Sequence, residues 1–450
     1  MPLVVFAGAC LLALLAAPPA HADATGQDAG LAATSAAANG EPEPSAPQAP
    51  ATPAEAARPS GRTGIARWLD PATAPFIPIP EIDTDPYSGT TLGLIPTWLH
   101  TNAHDQIERI IAPDVIHSEY FGWGSRMRVF GYPSADVQWS VVGGMKQRVE
   151  REFDGSYVAG QTRTTPWSWS VEAIYDRSGV ARFYGLGNHS LFSNQTSYLD
   201  DQARLDLQIG RNFTSHLQLA YLARARYVDV LPAVLPTVPS IESRFPALLG
   251  LRAEHELEHR LILTYDTRDS VIIPSTGARY SLYGGFVSRA LGSSVSYTYF
   301  GGELRHYWPL GRDVTIAWHA AARYMTSAGS APFWALSSLG GDRSIPGESE
   351  PLRSEGPARY VDRNLMATGA EVRTRVYGFN AFGTHVSLEL APFVDAGKVF
   401  GNAGTGPFFH MHRAFGLGLR GVASPFVVGY VDIAYGQGRG AAFSGIYYPF

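Results

Sequence analysis

From Thr90 to Phe450 the chain alternates apolar and polar residues with period two, in short runs separated by Gly, Pro, Asn or Asp. In Arg204 to Ile209, Leu205, Leu207 and Ile209 fall on one face of an extended strand and Arg204, Asp206 and Gln208 on the other. The same pattern recurs from His216 to Arg226, from Val314 to Arg323 and from Tyr430 to Tyr435. Beyond the N-terminal run no stretch of eighteen or more apolar residues exists, so a helical membrane span is excluded while a membrane crossing by strands is not. Alternation alone would also suit a soluble β-sandwich. About sixteen such segments can be drawn, and an even count suits a closed bacterial barrel. The expectation is therefore an all-β transmembrane barrel of about sixteen antiparallel strands, with segments near Ser156 and Pro246 the ones a count could add or drop.

The first residues, Met1 to Ala17, are apolar without one charged side chain and lead to Ala20-His21-Ala22, which predicts a signal peptide over residues 1–22. A lipoprotein signal around Cys10 would fall before the apolar core is complete. Cys10 is the only cysteine, so the exported chain is expected to hold no disulfide or thiolate ligand. Residues 23–65 are rich in Ala, Pro, Gly, Ser and Glu and predict a disordered periplasmic tether. Residues 66–89, with alternating prolines from Pro75 to Pro80, predict an extended lead-in to a barrel over 90–450, with no room left for a folded periplasmic domain. The formal net charge is -5 with no basic block, which argues against nucleic acid as a partner.

Two motifs tempt towards chemistry. His255-Glu256-Leu257-Glu258-His259 spells the zinc-protease pattern, but that chemistry needs a helix, where the histidines stand about 6 Å apart; on a strand they are about 13 Å apart. The strand-like sequel Arg260 to Tyr265 favours the second geometry. Gly416 to Gly421 spells a dinucleotide fingerprint without a βαβ frame, and its glycines are read as leaving lumen space or bending a wall strand. No catalytic residue, cofactor or metal is assigned, and the chain is expected not to be an enzyme.

Leu339-Gly340-Gly341-Asp342-Arg343-Ser344-Ile345-Pro346-Gly347 stands in the longest interruption, Ser327 to Asp362, and Gly369-Ala370-Glu371 and Phe393-Val394-Asp395-Ala396-Gly397 follow it. On these residues the C-terminal half resembles the outer-membrane assembly family of BamA and TamA, the bacterial surface antigen family, which places an inward-folded loop between strands eleven and twelve. Gly369-Ala370-Glu371 matches the family's G-x-E, and Phe393-Val394-Asp395-Ala396-Gly397 its F-x-D-x-G. Asp266, Arg268, Asp269, Pro274 and Gly277 also follow its pattern, and the chain ends on an aromatic, Phe450. Strand parity independently points Glu371 and Asp395 into the lumen, where two carboxylates call for a cation. In the family that cation is the arginine of a V-R-G-F or V-R-G-Y loop tip. Aligned on Gly347 this sequence has Pro346 and Glu348 there, so Arg343 becomes the candidate partner, its planar fork suited to a carboxylate. The alternative leaves Arg343 solvated and pairs Glu371 with Arg373 or another lumen arginine.

The predicted loop-to-barrel lock thus comprises Gly340, Gly341, Arg343, Gly347, Glu371, Phe393, Asp395 and Gly397. A weak closing seam is expected between a first strand containing Gly93 and Pro96 and a last strand containing Gly445 and ending at Phe450. The resemblance implies an integral protein of the Gram-negative outer membrane, in contact with phospholipid and lipopolysaccharide, that assists insertion or translocation of protein or lipid cargo. The competing expectation is a passive channel whose selectivity is set by Arg204, Asp206, Arg224, Arg226 and Arg323.

Overall fold

The structure, a computed structural model, describes residues 77–85, 89–101, 107–381, 384–401, 409–423, 427–446 and 448–450. The expected signal peptide, the tether and the lead-in as far as residue 76 lie outside them. The described chain is an antiparallel meander. It runs through β1 (Ile77–Asp85), β2 (Gly89–Thr101), β3 (Ile107–Ile111), β4 (Asp114–Ser118), β5 (Gly122–Ser134), β6 (Val137–Lys146) and β7 (Arg151–Ala159). It continues through β8 (Trp167–Phe183), β9 (Thr196–Asn212), β10 (Leu217–Leu231), β11 (Glu254–Asp266), β12 (Gly277–Val287), β13 (Tyr297–Pro309) and β14 (Val314–Ser327). After a long loop holding β15 (Ser337–Leu339), β16 (Ser349–Glu350) and β17 (Tyr360–Asp362), it ends with β18 (Asn364–Ala381), β19 (Thr384–Phe400), β20 (His412–Ala423), β21 (Val427–Gly436) and β22 (Arg439–Ile446).

β3 and β4 are one strand interrupted at Ala112 and Pro113, because both pair with β2 on one side and β5 on the other. The sheet therefore has eighteen strands where about sixteen are expected. One extra strand is β1, in what the sequence reading assigns to the lead-in; its register with β2 places Pro78 opposite Pro96. The alternating prolines, read as an extended lead-in, are tolerated within a strand on a sheet edge, where one side of the backbone has no ladder to complete. The segment near Ser156 is a strand, β7, and the segment near Pro246 is not: it follows a helical turn, Ile241–Arg244, in a loop.

The two faces of the sheet invert the pattern of a soluble protein. On β9, Leu205, Leu207 and Ile209 are exposed while Asp206 and Asn212 are buried. On β11, Glu256, Glu258, Arg260 and Asp266 are buried while Leu261, Leu263 and Tyr265 are exposed. Charges on the inside and aliphatic side chains on the outside stabilise a wall only where the outside is hydrocarbon. His255 and His259 belong to β11, so the zinc-protease spacing falls on a strand, with Tyr221 Oη and His259 Nδ1 hydrogen-bonded on the outer face at 2.6 Å.

The four longest connections between wall strands, after β8, β10, β14 and β19, lie at one end of the barrel. The turn from β11 to β12 explains the matching residues there. Arg268 forks onto Asp266 (Nε to Oδ1 3.0 Å, Nη2 to Oδ2 2.9 Å), and Asp269 accepts from the amides of Ser275 (2.9 Å) and Thr276 (3.2 Å). Gly277 has φ +92°, and a Cβ there would run into the carbonyl of Thr267.

Leu205→Arg, near the middle of β9 on the outer face, is expected to cost about 2–4 kcal/mol in denaturant unfolding from liposomes. Gln208→Arg, on the inner face of the same strand, should cost less than ~1 kcal/mol; equal costs would reject this inside-out orientation.

Candidate functional site

Four adjacent strands bring three carboxylates together inside the barrel. The β18–β19 register sets Gly369 opposite Asp395 and Glu371 opposite Phe393; β20 and β21 set Gly418 opposite Asp432. Glycine at fixed positions makes the space. A Cβ on Gly369 would lie 2.7 Å from His319 and 2.9 Å from Asp395, and one on Gly397 would lie 2.7 Å from Leu339 of the loop. A Cβ on Gly416 would strike the Phe393 ring, and one on Gly418 the Arg420 and Asp432 side chains. Gly416 and Gly418 of the apparent dinucleotide fingerprint thus give clearance, as the strand reading expects, whereas a Cβ on Gly421 would meet nothing.

Into this space the loop delivers Arg353, which is fully buried. Its guanidinium forks onto Asp395 (Nε to Oδ2 2.9 Å, Nη2 to Oδ1 2.8 Å), and Nη1 donates to Asp432 (3.0 Å) and Glu371 (3.2 Å). Its backbone amide also donates to Asp395 (3.1 Å), and the plane of the guanidinium lies 3.4 Å from the Phe393 ring centroid. Arg373 donates to Glu371 (2.6 Å) and Arg420 to both Glu371 (3.3 Å) and Asp432. Arg353, Arg373 and Arg420 therefore match Glu371, Asp395 and Asp432 in charge. Such matching is what permits ions to sit with no water around them.

The loop enters through Gly340 and Gly341, at φ +132° and +82°, where a Cβ on the first would meet the carbonyl of Gly356. Within it β15 pairs with β16 and β17, which gives the loop its own hydrogen-bonded frame. Its other extremity is pinned to a different part of the wall. Glu348 pairs with Arg224 of β10, which also forks onto Asp206 of β9 (2.9 and 2.7 Å). Arg260 of β11 donates to the Pro346 carbonyl (3.0 Å), and Gly347, at φ +77°, leaves room for that arginine. The loop is a strut across the lumen, held at both extremities.

The C-terminal residues complete the site. β22 ends at Ile446, and the tail turns inward so that Phe450 is buried against Tyr307, Ala317 and the ring of His319 (4.1 Å). The Pro449 carbonyl accepts from the loop amide of Ser344 (3.1 Å), and Tyr448 donates to Glu389 (2.8 Å) while lying 3.6 Å from the Arg373 guanidinium. At the loop end of the barrel Phe183, Val228, Val230, Ile241, Phe333 and Val361 form a buried cluster that draws two connections, β10–β11 and β14–β18, onto the ends of β8 and β10. Asn188 ties that cap across to the His410 carbonyl (2.8 Å) and the Val399 amide (3.1 Å).

Glu371, Phe393 and Asp395 lie together around Arg353, Gly397 lies against Leu339 of the loop, and Gly340 and Gly341 lie against Gly356 and Pro357 within the loop, whereas two parts of the sequence reading are corrected. Arg343 is not the partner of the carboxylates: it is exposed and lies beside Tyr430, and Arg353, ten residues on, takes the place. Aligning on Gly347 misplaced the tip; Leu352-Arg353-Ser354 keeps the apolar, arginine and small residues of the family tip and loses only its glycine and aromatic. The second correction concerns the seam. Gly93 and Pro96 lie on β2, which is flanked on both sides, and Phe450 has left the last strand for the lumen; of the expected seam residues only Gly445 sits on an edge strand. Asp432 and Arg420 were missed although their parity was legible: Asp432 opposes Val431 and Ile433, and Arg420 is a charge inside a glycine run.

Arg353→Ala leaves three buried carboxylates with two cations, and is expected to destabilise the barrel by about 3–5 kcal/mol in denaturant unfolding. Arg343→Ala should stay within ~0.5 kcal/mol of the parent. Equal effects would return the lock to Arg343.

The Omp85 superfamily domain matches residues 134–438. No curated protein matches the chain. Among solved structures, BamA from Haemophilus ducreyi lacking POTRA domains 1–3 is 12% identical, with a TM-score of 0.44 over 82% of this chain and 75% of that one. CdiB from Escherichia coli is 9% identical, with a TM-score of 0.44 over 83% and 61%. Wzi, a carbohydrate-binding outer-membrane barrel of Escherichia coli involved in group 1 capsule assembly, is 12% identical, with a TM-score of 0.34 over 82% and 81%. With the domain covering well over half its length, the chain belongs to the Omp85 superfamily and is an outer-membrane β-barrel of that family.

Proposed function

We propose that this barrel assists the insertion or translocation of proteins or lipids at the outer membrane, and performs no chemical step of its own. The observation that carries the reading is Arg353 at the centre of Glu371, Asp395 and Asp432, which holds a loop across the lumen. A passive channel needs an open lumen and a closed wall. Here the described residues have the reverse: a strut through the lumen, a buried cap at one end, and a sheet whose first and last strands, β1 and β22, each pair with one neighbour only. Unpaired backbone groups are costly in hydrocarbon, so such a wall is suited to admit another strand or a lipid headgroup sideways.

The partners this reading implies are outer-membrane phospholipid and lipopolysaccharide together with a protein or lipid cargo. Three of the lumen charges named for a channel take part in holding the loop: Arg224, itself forked onto Asp206, pairs with Glu348, and Arg323 donates to the Ala335 carbonyl (3.1 Å).

Reconstituted into liposomes of bacterial lipid, the chain is expected to speed the folding of an added unfolded outer-membrane barrel severalfold over empty liposomes, and Arg353→Ala to lose most of that gain. No acceleration, together with a steady conductance in planar bilayers that Arg353→Ala leaves unchanged, would replace this reading with the channel.

A further inference from the structure

Arg353 and the Glu348–Arg224 pair each set a carboxylate against an arginine, but the loop carries a further buried carboxylate that has no such partner. Glu350 stands on β16, in register with Leu339 of β15, and its carbonyl accepts from the Gly340 amide (3.0 Å). Its side chain and that of His319 on β14 are both 2% exposed, and Glu350 Oε2 lies 3.5 Å from His319 Nε2. Among the described residues no hydrogen bond reaches either ring nitrogen of His319 or Oε2 of Glu350. Two facing side chains, one on the loop and one on the wall, are left with polar atoms that folded chains ordinarily satisfy.

The cations around them are engaged elsewhere. On β13, Glu303 draws Arg305 (3.4 Å) and also Arg279 of β12 (3.3 Å). Ser344 of the loop donates to Glu303 (3.4 Å) and accepts from Arg305 (3.3 Å). Tyr283 of β12 and Tyr307 of β13 add phenols and no cation. Beyond the imidazole, Gly369 of β18 makes room for Asp395 of β19, which is forked by Arg353. Phe450 closes the remaining face, its ring centroid 4.1 Å from that of His319 and its carbonyl oxygen met by Arg373. Among the described residues His319 is therefore the one group within 4.0 Å of the Glu350 carboxylate able to carry a positive charge. With Glu350 ionised and His319 neutral, a buried carboxylate would stand unpaired beside a like charge, Glu303. Burial, and after it the charge of Glu303, push the Glu350 carboxyl up.

We propose that His319 and Glu350 form a proton-binding site, in which one proton taken from water and held between Nε2 and Oε2 fastens β16 of the loop to β14 of the wall. The folded pair binds that proton more tightly than either residue does in an unfolded chain. The fastening is therefore fully present below the ordinary histidine value, about 6.5, and is lost as pH rises through the higher value of the folded pair. Above it Glu303 repels the Glu350 carboxylate and β16 leaves the wall, while Arg353, whose charge does not titrate, holds its own end of the loop. The site concerns how the loop is held and is independent of what the barrel inserts or translocates.

Amide hydrogen exchange of the full chain in liposomes, each rate divided by that of an unfolded chain at the same pH, tests it at about pH 6 and about pH 9. The Gly340 amide, which donates to Glu350, is expected to lose about tenfold or more of its protection at the higher pH, while β10 and β11 keep theirs. Glu350→Gln supplies a neutral amide that donates to His319 without a proton from water, and should abolish the loss. His319→Gln offers Glu350 a permanent donor and is read in the same way should Glu350→Gln fail to fold. No loss in the parent chain overturns the proposal, and so does a loss that persists in either variant.

Discussion

The guanidinium of Arg353 sits where four strands of the wall and one loop each bring a charge that none could keep alone. Glu371, Asp395 and Asp432 project from β18, β19 and β21 into a volume free of exposed surface, and their mutual repulsion would oppose the pairing of those strands. Arg373 and Arg420 offset part of it from within the wall, and the remainder has to come from the loop. Closing this side of the barrel and inserting the loop are therefore one event energetically. The fork onto Asp395 with Phe393 beneath fixes orientation as well as charge, which a lysine at the same position would not do.

From that anchor the remaining contacts follow as consequences of geometry. With Arg353 fixed on one part of the wall, the frame made by β15, β16 and β17 carries Glu348 to Arg224 on β10. Between them the loop amide of Ser344 lies within reach of the Pro449 carbonyl, so the inward turn of the tail depends on the loop being present. Phe450 then occupies the space over His319 that a shorter loop would leave open. Its burial takes the last residues away from the edge of β22, and the ladder available there is correspondingly short.

Much of this was legible because parity in a strand is a strict rule. Leu205 with Asp206, Glu371 with Val372, and Asp395 with Val394 are assigned to opposite faces by counting alone, and the G-x-E and F-x-D-x-G glycines mark where side chains converge. The loop obeys no such rule. Its arginine could be placed only by alignment, and Gly347 offered a false anchor because it has its own reason to be glycine, a positive φ beside Arg260. Phe450 misled for a related reason: a terminal aromatic suits both a membrane-facing strand end and a buried plug, and only the position of His319 and Tyr307 distinguishes them. β1 was hidden by prolines that forbid a central strand and permit an edge.

These edges set the terms on which the barrel can exist in a membrane. A strand edge in hydrocarbon leaves amides and carbonyls unpaired at a cost of several kcal/mol for each group, more than the ion pairs of a solvated rim can return. The tail shortens one edge by withdrawing into the lumen, and the proline-bearing hairpin covers the other. Among the described residues both devices reduce exposed backbone without joining the first strand to the last. A wall sealed by continuous hydrogen bonds would be more stable and would have no reason for either.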